Sequence, residues 1–408
     1  MSLSLAASSR SFAPGALLGR FVLGRLLGRL AFGRLAVRLP GGAELIGEGP
    51  AAGPEATLVL HNWRPLMALL LRGDVGFAES YMEGDWSSPD LPRLIELGAR
   101  NQSALGSTLD GSLPARIMNR LAHGRHANTR ARARRNILAH YDVGNDFYAA
   151  WLDAGMSYSS GLYTRPGMSL EAAQTAKQDR ILTLLDPAPG EAVLEIGCGW
   201  GGLAARLLER GAKVTGLTLS PAQLEYAQAQ LAPAIAEGRA DLRLQDYRDV
   251  PGRYDRVVSI EMLEAVGAAF WPVYFRKLAD RLRPDGTAVL QVISIAEEKF
   301  EAYRRTPDFI QLYVFPGGML PTLRIMREEI ERAGLLLERV ETFGQSYAET
   351  LAEWRARFHA ALPALRARGM GEVFGRRWDY YLAYCEAGFR AGALDVGLYQ
   401  IRRAQPAG

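Results

Sequence analysis

The chain has 408 residues, of which 48% are hydrophobic and 23% charged, and its formal net charge is +4. This length and composition predict two domains, or one large domain with an accessory, and exclude a chain that is disordered as a whole. The two cysteines, Cys198 and Cys385, are too few for a disulfide framework, and the five histidines show no ligand spacing. We therefore expect no metal site and a cytoplasmic location.

The positive charge is concentrated in two arginine-rich segments. Residues 1–43 contain six arginines and no acidic residue, and residues 111–141 contain seven arginines and no acidic residue. The rest of the chain is therefore net acidic, and we expect the catalytic body there. Clustered arginines favour contact with anions, so the two segments are the candidate points of contact with a membrane surface.

Residues 1–43 are predicted to form a basic amphipathic segment. From Phe21 onwards, arginines recur every four or five positions among Leu, Val and Phe. They interrupt every apolar run, which excludes both a signal peptide and a membrane-spanning helix. One hypothesis is a helix that lies on an anionic membrane surface, peripheral on the inner face of the cell membrane. The alternative is a frayed leader, because several glycines weaken such a helix.

Residues 44–110 alternate short apolar runs with turn signals and predict a small α+β domain. Residues 111–136 are polar and arginine-rich, and we interpret them as a linker. Nucleic acid is not an expected partner, because no aromatic residue for base stacking is interleaved with these arginines. Lipid phosphates are the preferred partner, and a linker that contacts only solvent is the alternative.

From about residue 137, strand-like segments alternate with segments of helical periodicity. The strand-like segments are 193–196, 214–219, 241–245, 256–260, 288–293 and 335–342. The helical segments are 203–210, 221–231, 270–283 and 324–334. This alternation predicts an α/β fold for residues 137–408, with a parallel sheet covered by helices on both faces.

A glycine-rich loop, Glu195 to Gly202, follows the first of these strands and leads into a helix. Its glycines, Gly197, Gly199 and Gly201 among them, allow a tight turn and close approach of a ligand. The carboxylate of Glu195 disfavours binding of a pyrophosphate. The second strand is not followed by the acidic residue, about 20 positions after the loop, that would bind the ribose of NAD. A carboxylate at this position can instead bind the amino group of a zwitterionic cofactor such as S-adenosylmethionine.

The ends of the next two strands supply further polar candidates. Ser220 to Gln223 form a predicted capping box, with proline at the first helical position. Thr218 and Gln223 are also predicted to face the ribose of the cofactor. Asp246 and Tyr247 are predicted to bind the adenine, as an acceptor for its amino group next to an aromatic ring. Without this context Asp246 would be interpreted as an ordinary loop residue.

Nine motifs in order resemble the cyclopropane-fatty-acyl-phospholipid synthase family of class I S-adenosylmethionine-dependent methyltransferases. They are ESYMEGDW (79–86), HYDVGNDFY (140–148), MSYSSGLY (156–163), GCGWGGLA (197–204), GLTLSPAQ (216–223), QDYRD (245–249), EMLEAVG (261–267), YVFPGGMLPT (313–322) and WDYYLAYCEAGFR (378–390). The resemblance implies a Rossmann-like methyltransferase domain and a small N-terminal lipid-binding domain. It implies cofactor contacts from Tyr158, Ser159, Gly197, Gly199, Thr218, Leu219, Gln223, Asp246 and Tyr247, to which the loop analysis adds Glu195 and Gly201.

The implied reaction is the transfer of a one-carbon unit to the double bond of an unsaturated acyl chain of a membrane phospholipid. An isolated alkene is a poor nucleophile, so the sulfonium methyl group must be held close to it in a dry pocket. Attack leaves a carbocation, which aromatic faces and carboxylates stabilise. Among the many aromatic residues we select Tyr313 and Tyr347, which lie on segments that match the family.

Loss of a proton from the carbocation completes the reaction. In typical cyclopropane synthases a bound bicarbonate takes this proton, and Cys, Glu, His, a backbone group at Ile, and Tyr hold the bicarbonate. The corresponding residues here are Ser160, Glu264, Gln291, Ile293 and Tyr347. Ser160 and Gln291 depart from the family pattern, and glutamine cannot carry the positive charge of a histidine. This departure puts bicarbonate binding in doubt.

The same departure leaves two products open, a cyclopropane ring and a methyl- or methylene-branched chain. Glu264 could be the base in either case, if burial raises its pKa. Two other functions are alternatives: methylation of a soluble small molecule, and lipid binding without catalysis. A second copy of the chain, as a homodimer, is a further candidate partner.

Overall fold

The computed structural model describes residues 14–106 and 144–404, and the chain divides into two compact units, residues 1–115 and 116–408. The predicted arginine-rich linker, residues 111–136, lies outside the described residues. Within the described residues, no helix combines the length and the apolar composition that are needed to cross a bilayer.

The first unit contains a four-stranded sheet. Its strands are β1 (Phe32–Arg38), β2 (Glu44–Glu48), β3 (Ala51–Leu60) and β4 (Trp86–Ser87), in the order β2-β1-β3-β4. β1 pairs antiparallel with β2 and parallel with β3, and β3 pairs antiparallel with β4. The helices are α1 (Pro14–Leu27), α2 (Arg64–Met82), α3 (Leu91–Arg100) and α4 (Gln102–Leu105).

The strand β1 shows that the predicted domain boundary at residue 43 is wrong. Residues 32–38 were predicted to belong to a separate basic amphipathic segment, but they form the strand between β2 and β3. Ala36 and Val37 of this strand are buried. The apolar residues of this segment pack as part of a sheet and do not form the apolar face of a surface helix. The described part of segment 1–43 is therefore integral to the first unit.

The helix α1 uses leucines to pack against its own unit. Leu23 and Leu27 are buried. Leu27 lies so close to Gly47 of β2 that a Cβ on Gly47 would be 2.7 Å from the Cβ of Leu27. The arginines around this helix are exposed, namely Arg20, Arg25 and Arg29. These two leucines are therefore not available for insertion into a membrane, as the hypothesis of a surface helix had required.

The second unit contains a seven-stranded sheet in the order β10-β11-β9-β8-β5-β6-β7. The strands are β5 (Ala192–Ile196), β6 (Lys213–Thr218), β7 (Ala240–Leu244), β8 (Tyr254–Ile260), β9 (Leu282–Ile295), β10 (Leu335–Thr342) and β11 (Leu394–Arg403). The first five of these pair in parallel, and all six predicted strands are confirmed. β11, which was not among the predicted strands, runs antiparallel to both β9 and β10, so the sheet is parallel except for this strand.

Helices cover both faces of this sheet, as predicted. They are α5 (Asn145–Ala149), α6 (Leu170–Leu185), α7 (Gly202–Glu209), α8 (Pro221–Gln230), α9 (Ala232–Ala236), α10 (Trp271–Arg281), α11 (Glu297–Tyr303), α12 (Phe309–Tyr313), α13 (Leu323–Arg332), α14 (Gly344–Ala367) and α15 (Glu372–Arg390). Leu194 and Val257 pack in one apolar cluster with α10 and α13, whereas their neighbours Val193 and Val258 pack in another with α6 and α7. The central strands are therefore apolar on both faces.

The strand order of the sheet indicates where a ligand would bind. β5 lies between β6 and β8, so the strand order reverses at β5. In open sheets of this kind, ligands bind beyond the carboxyl ends of the strands at the point of reversal. The carboxyl end of β5 is Ile196, directly before the glycine loop.

A buried amide connects the strands and helices of the first unit. The side-chain oxygen of Asn101, which follows α3, accepts hydrogen bonds from the backbone N–H groups of Ala31 (2.8 Å) and Phe32 (3.0 Å). Its amide nitrogen donates to the carbonyls of Phe32 (3.0 Å) and Leu97 (2.9 Å). Asn101 is itself buried, and these four hydrogen bonds are buried or partly buried.

We expect Asn101→Ala to destabilise the first unit by about 2–4 kcal/mol, because buried backbone groups lose their hydrogen-bond partner. Amide hydrogen exchange of residues 32–60, followed by mass spectrometry, measures this unit separately from the second. Ser103→Ala, at an exposed position in α4, is the matched control. Equal exchange in the two variants would contradict the structural role of Asn101.

Candidate functional site

The glycine loop lies at the carboxyl end of β5. Gly197, Gly199 and Gly201 have positive φ angles of 88°, 53° and 89°, a backbone region that residues with a Cβ rarely adopt. The N–H groups of Gly197 and Cys198 donate to the carbonyl of Leu217, at 2.9 and 2.8 Å. These bonds hold the loop against β6, and the helix α7 follows it directly.

Glu195 is the buried acidic group next to this loop. It is 3% exposed, and its Oε2 atom has no hydrogen-bond partner in the described part of the chain. Burial raises the pKa of its carboxyl group to about 8, and the ammonium group of Lys177 opposes this shift. A buried carboxyl group without a donor can bind a cationic ligand.

Lys177 of α6 is a buried cation that the sequence analysis missed. Its Nζ atom donates to Ser159 Oγ at 2.6 Å. Burial lowers the pKa of its ammonium group to about 8, against the attraction of Glu261 and two further carboxyl groups. Gln174, which precedes it by three positions on the same helix, donates to the Ser159 carbonyl at 2.8 Å. Two side chains of α6 thus hold the predicted cofactor residue Ser159 in place.

The residues after β6 confirm the predicted helix cap. Ser220 Oγ accepts a hydrogen bond from the N–H of Gln223 at 3.3 Å, and Pro221 begins α8. The Gln223 side chain does not complete the capping box, because its Oε1 accepts from Thr218 Oγ1 at 2.9 Å. Thr218 and Gln223 are therefore neighbours, both buried, and Leu219 between them is half-buried.

Asp246 and Tyr247 follow β7, and Asp246 has a charged partner. Its carboxylate accepts from the Arg248 guanidinium, with distances of 2.8 Å from Nε to Oδ1 and 2.5 Å from Nη2 to Oδ2. The Tyr247 hydroxyl is buried without a hydrogen-bond partner among the described residues, and its ring packs edge-on against Tyr274. The acceptor that we expected for an adenine amino group is therefore shared with a guanidinium.

Tyr158 belongs to an aromatic cluster next to Ser159. Its hydroxyl shares a hydrogen bond of 2.8 Å with the hydroxyl of Tyr381. Its ring centroid lies 5.4 Å from that of Trp354 and 5.7 Å from that of Trp151. These rings form an apolar wall beside the predicted cofactor residues.

Glu261 is the acceptor that connects three of the six predicted catalytic residues. Its Oε1 atom accepts from the N–H of Ser160 at 2.9 Å and from Gln291 Nε2 at 2.7 Å. Its Oε2 atom accepts from the Tyr347 hydroxyl at 2.6 Å. Three residues that were expected to hold a bicarbonate thus hold a side-chain carboxylate.

Glu264 supplies a second carboxyl group near Glu261. One of its oxygens accepts from the N–H of Ile293 at 2.5 Å, and the other, Oε2, has no hydrogen-bond partner within the described ranges. Burial, and then the neighbouring Glu261, raise the pKa of Glu264 to about 8. Burial also raises the pKa of Glu261, but its three donors and Lys177 oppose this shift. The negative charge of the pair is therefore assigned to Glu261.

The structure groups four predicted residues around these two glutamates, namely Ser160, Gln291, Ile293 and Tyr347. Tyr313 lies on α12, where its ring stacks on Phe309 with a centroid distance of 5.4 Å. The guanidinium of Arg377 lies 6.0 Å from the Tyr313 ring centroid. The loop after α12 reaches the site, since the N–H of Met319 donates to the backbone carbonyl of Glu264 at 2.9 Å.

Glu261 could have been found from its position in the sequence. It directly follows β8, as Glu195 lies at the end of β5, and the carboxyl ends of parallel strands meet at the same edge of a sheet. Glu261 lies in the family motif 261–267, but the resemblance implies a role in holding bicarbonate only for Glu264. Lys177 carries no comparable signal, since a lysine in an amphipathic helix is ordinarily exposed.

Comparison with known proteins identifies close relatives. The model of the mycolic acid cyclopropane synthetase family matches residues 128–400. Tuberculostearic acid methyltransferase UfaA1 of Mycobacterium tuberculosis is 41% identical over 367 residues, which cover 87% of this chain and 86% of the relative. The cyclopropane-fatty-acyl-phospholipid synthase of Escherichia coli strain K12 is 35% identical over 339 residues, which cover 82% of this chain and 84% of the relative.

A solved structure shows the same relationship in three dimensions. The mycolic acid cyclopropane synthase CmaA1, complexed with SAH and CTAB, superposes with a TM-score of 0.62 at 31% sequence identity. The match covers 66% of this chain and 98% of that protein. The glycine loop, and the Glu195 Oε2 atom, which has no partner among the described residues, fit a cofactor of this kind. The chain therefore belongs to the cyclopropane synthase family of S-adenosylmethionine-dependent methyltransferases.

Proposed function

We propose that this methyltransferase modifies the double bond of an unsaturated fatty acyl chain in a membrane phospholipid. Attack by the alkene leaves a carbocation on the acyl chain. Loss of a proton then gives a cyclopropane or a methyl- or methylene-branched chain. The observation that carries the proposal is the carboxyl pair of Glu261 and Glu264, next to the cofactor loop at the ligand-binding edge of the sheet.

The names of two relatives support a lipid substrate. One is a tuberculostearic acid methyltransferase and the other is a cyclopropane-fatty-acyl-phospholipid synthase. Each aligns with more than four fifths of this chain. We infer that the substrate is an acyl chain, and the second name favours a chain esterified in phospholipid.

Three features support the proposed cofactor contacts. S-adenosylmethionine supplies an electrophilic methyl group on a positively charged sulfur. Glu195 would bind its ammonium group, because Oε2 has no other donor within the described residues. The space at Gly199 is open, since no atom lies within 4 Å of the position that a Cβ would occupy. Thr218 and Gln223, hydrogen-bonded to each other, would face the ribose.

Aromatic rings next to the carboxyl pair suit a cationic intermediate. Tyr347, which donates to Glu261, stacks on Phe389 with a centroid distance of 4.5 Å. Tyr381, which is bonded to Tyr158, lies 6.1 Å from Phe315 in an edge-on geometry. Aromatic faces attract cations and exclude water, so they would lower the energy of the carbocation without capturing it.

We further propose that the first unit contacts the membrane and makes the enzyme peripheral on its inner face. Large apolar side chains are exposed on three elements of this unit, namely Phe21, Ile46, Met67 and Leu71. They lie on α1, β2 and α2, and α1 packs against both β2 and α2. The exposed arginines around α1 would attract anionic headgroups while the apolar side chains enter the interface.

Glu195→Gln should weaken cofactor binding and remove its dependence on pH. The pKa of Glu195 is raised to about 8, so the group is neutral at lower pH, and binding an ammonium group requires the release of one proton. The affinity of the wild type should therefore increase up to about tenfold per pH unit between roughly pH 6 and 7.5. Isothermal titration calorimetry in buffers of different ionisation enthalpy measures both the Kd and the released proton.

Glu209→Gln, at an exposed position on α7, is the control for this experiment and should keep the wild-type pH profile. A wild-type Kd that does not change with pH would argue against the role of Glu195.

Expression in a host that is rich in monounsaturated phospholipid should convert part of the acyl chains to species one CH₂ heavier. Mass spectrometry of the extracted lipids measures the conversion. Proton NMR of the same extract separates the products, because only a cyclopropane gives strongly upfield ring protons. Unmodified chains in cells that contain folded, cofactor-binding protein would refute the proposed substrate and would favour a soluble one.

The full chain should bind anionic phospholipid vesicles at low salt and bind them less at high salt, because the arginine contribution is screened. Replacement of Phe21, Met67 and Leu71 together by serine should weaken binding by about tenfold or more, since three apolar contacts are lost. Vesicle flotation measures the bound fraction. Leu336→Ser, an equally exposed leucine on β10, is the matched control and should bind like the wild type. Equal binding by both variants would exclude this surface.

A further inference from the structure

The residues that are expected to hold a bicarbonate do not fit one in this protein. The backbone N–H of Ser160, the side-chain Nε2 of Gln291 and the hydroxyl of Tyr347 all donate to the carboxylate of Glu261. A bicarbonate at the same donors would have to displace this side chain. The family resemblance had not assigned any role to Glu261.

The hydrogen bonds leave one side of the Glu261 carboxylate able to accept a proton. Within the described residues, Oε1 receives two donors, the Ser160 N–H and Gln291 Nε2, whereas Oε2 receives only the Tyr347 hydroxyl. A carboxylate oxygen has two lone pairs, so Oε2 retains one for a further partner.

The backbone at Glu261 indicates that its position is maintained against a conformational cost. Its φ angle is +47°, in the left-handed region that favours glycine. Its N–H donates to the carbonyl of Gln291 at 2.8 Å, which joins the end of β8 to β9. A glutamate that keeps this conformation while its carboxylate is held by three donors is characteristic of a functional site.

The two neighbouring carboxyl groups differ in their ability to carry the charge. Among the described residues, Glu261 has three donors and the attraction of Lys177, whereas Glu264 has only backbone donors, at Ile293 and at Glu264 itself. Two adjacent carboxyl groups avoid double ionisation, and the group with more donors keeps the charge. Glu261 is thus the anion of the site, and Glu264 is the neutral partner.

We propose that Glu261 replaces bicarbonate as the proton acceptor and that this enzyme works without bicarbonate. The inference rests on the proposed function. A C–H bond of the carbocation breaks, and its electron pair forms the third C–C bond of a cyclopropane or the double bond of a branched alkene. The proton passes to Glu261 Oε2, which becomes a neutral carboxylic acid. It returns to solvent when the product leaves, and the carboxylate is restored.

Binding of ¹³C-labelled bicarbonate, followed by NMR line broadening, tests the inference independently of turnover. The wild type should show no saturable binding. Glu261→Gly should bind bicarbonate, because it exposes the three donors, and it should fold well since glycine favours the positive φ. Asp186→Gly is the matched control: it relieves a positive φ of 45° at an exposed position and should behave like the wild type.

Turnover of S-adenosylmethionine with unsaturated phospholipid vesicles is the second measurement. The wild type should be equally active in bicarbonate-depleted and bicarbonate-containing buffer. Glu261→Gly should lose at least about 100-fold without bicarbonate and recover in part when bicarbonate or formate is added. Glu261→Gln should be inactive in both buffers, because the amide fills the position and cannot accept the proton.

Saturable bicarbonate binding by the wild type, or loss of its activity on depletion, would overturn the inference. Full activity of Glu261→Gly without bicarbonate would also overturn it. If no acyl chain is modified under any condition, the proposed function fails, whereas the binding experiment still decides whether Glu261 occupies the bicarbonate position.

Discussion

Three carboxyl groups and one ammonium group lie at the carboxyl edge of the central sheet, where little water can solvate them. Removing a charge from water is costly. Each group must therefore form hydrogen bonds or ion pairs within the protein, become neutral, or bind a ligand of opposite charge. Glu261 gains three donors, Glu264 is shifted toward its neutral form, and Lys177 lies between several acids. One oxygen of Glu195 has no hydrogen-bond partner in the part of the chain that the structure describes. These different outcomes separate Glu195, which we propose to bind the cofactor, from Glu261 and Glu264, which we propose to take part in the reaction.

The sheet makes this division possible. β5 and β8 are neighbours and run parallel, so Glu195 at the end of one and Glu261 after the other come to the same edge. α6 crosses one face of the sheet and brings Lys177 to this edge. Tyr347 arrives from α14, far along the chain. A rigid scaffold with apolar packing on both faces holds these polar groups at separations that a loop alone could not maintain.

In the first unit, packing against the sheet buries apolar side chains that the sequence pattern alone would assign to a membrane surface. An arginine-rich apolar segment suits a membrane surface, but the same leucines can pack against a sheet. Leu23 and Leu27 do the latter, and the strand β1 continues the segment into the sheet. What remains exposed is a smaller set of apolar side chains, such as Phe21 and Leu71, next to arginines. Packing therefore decides which part of an amphipathic pattern is available to a lipid.

The sequence by itself determined the features that depend on local physics. The six predicted strands, the glycine loop and the Ser220 cap follow from periodicity, backbone freedom and short-range hydrogen bonds. Only the tertiary structure decided the direction of β11 and the hydrogen-bond partners of Glu261. The partners of Glu261 lie 101 positions before it at Ser160 and 86 after it at Tyr347. No local pattern encodes such contacts, because they exist only once distant strands and helices share one edge of the sheet.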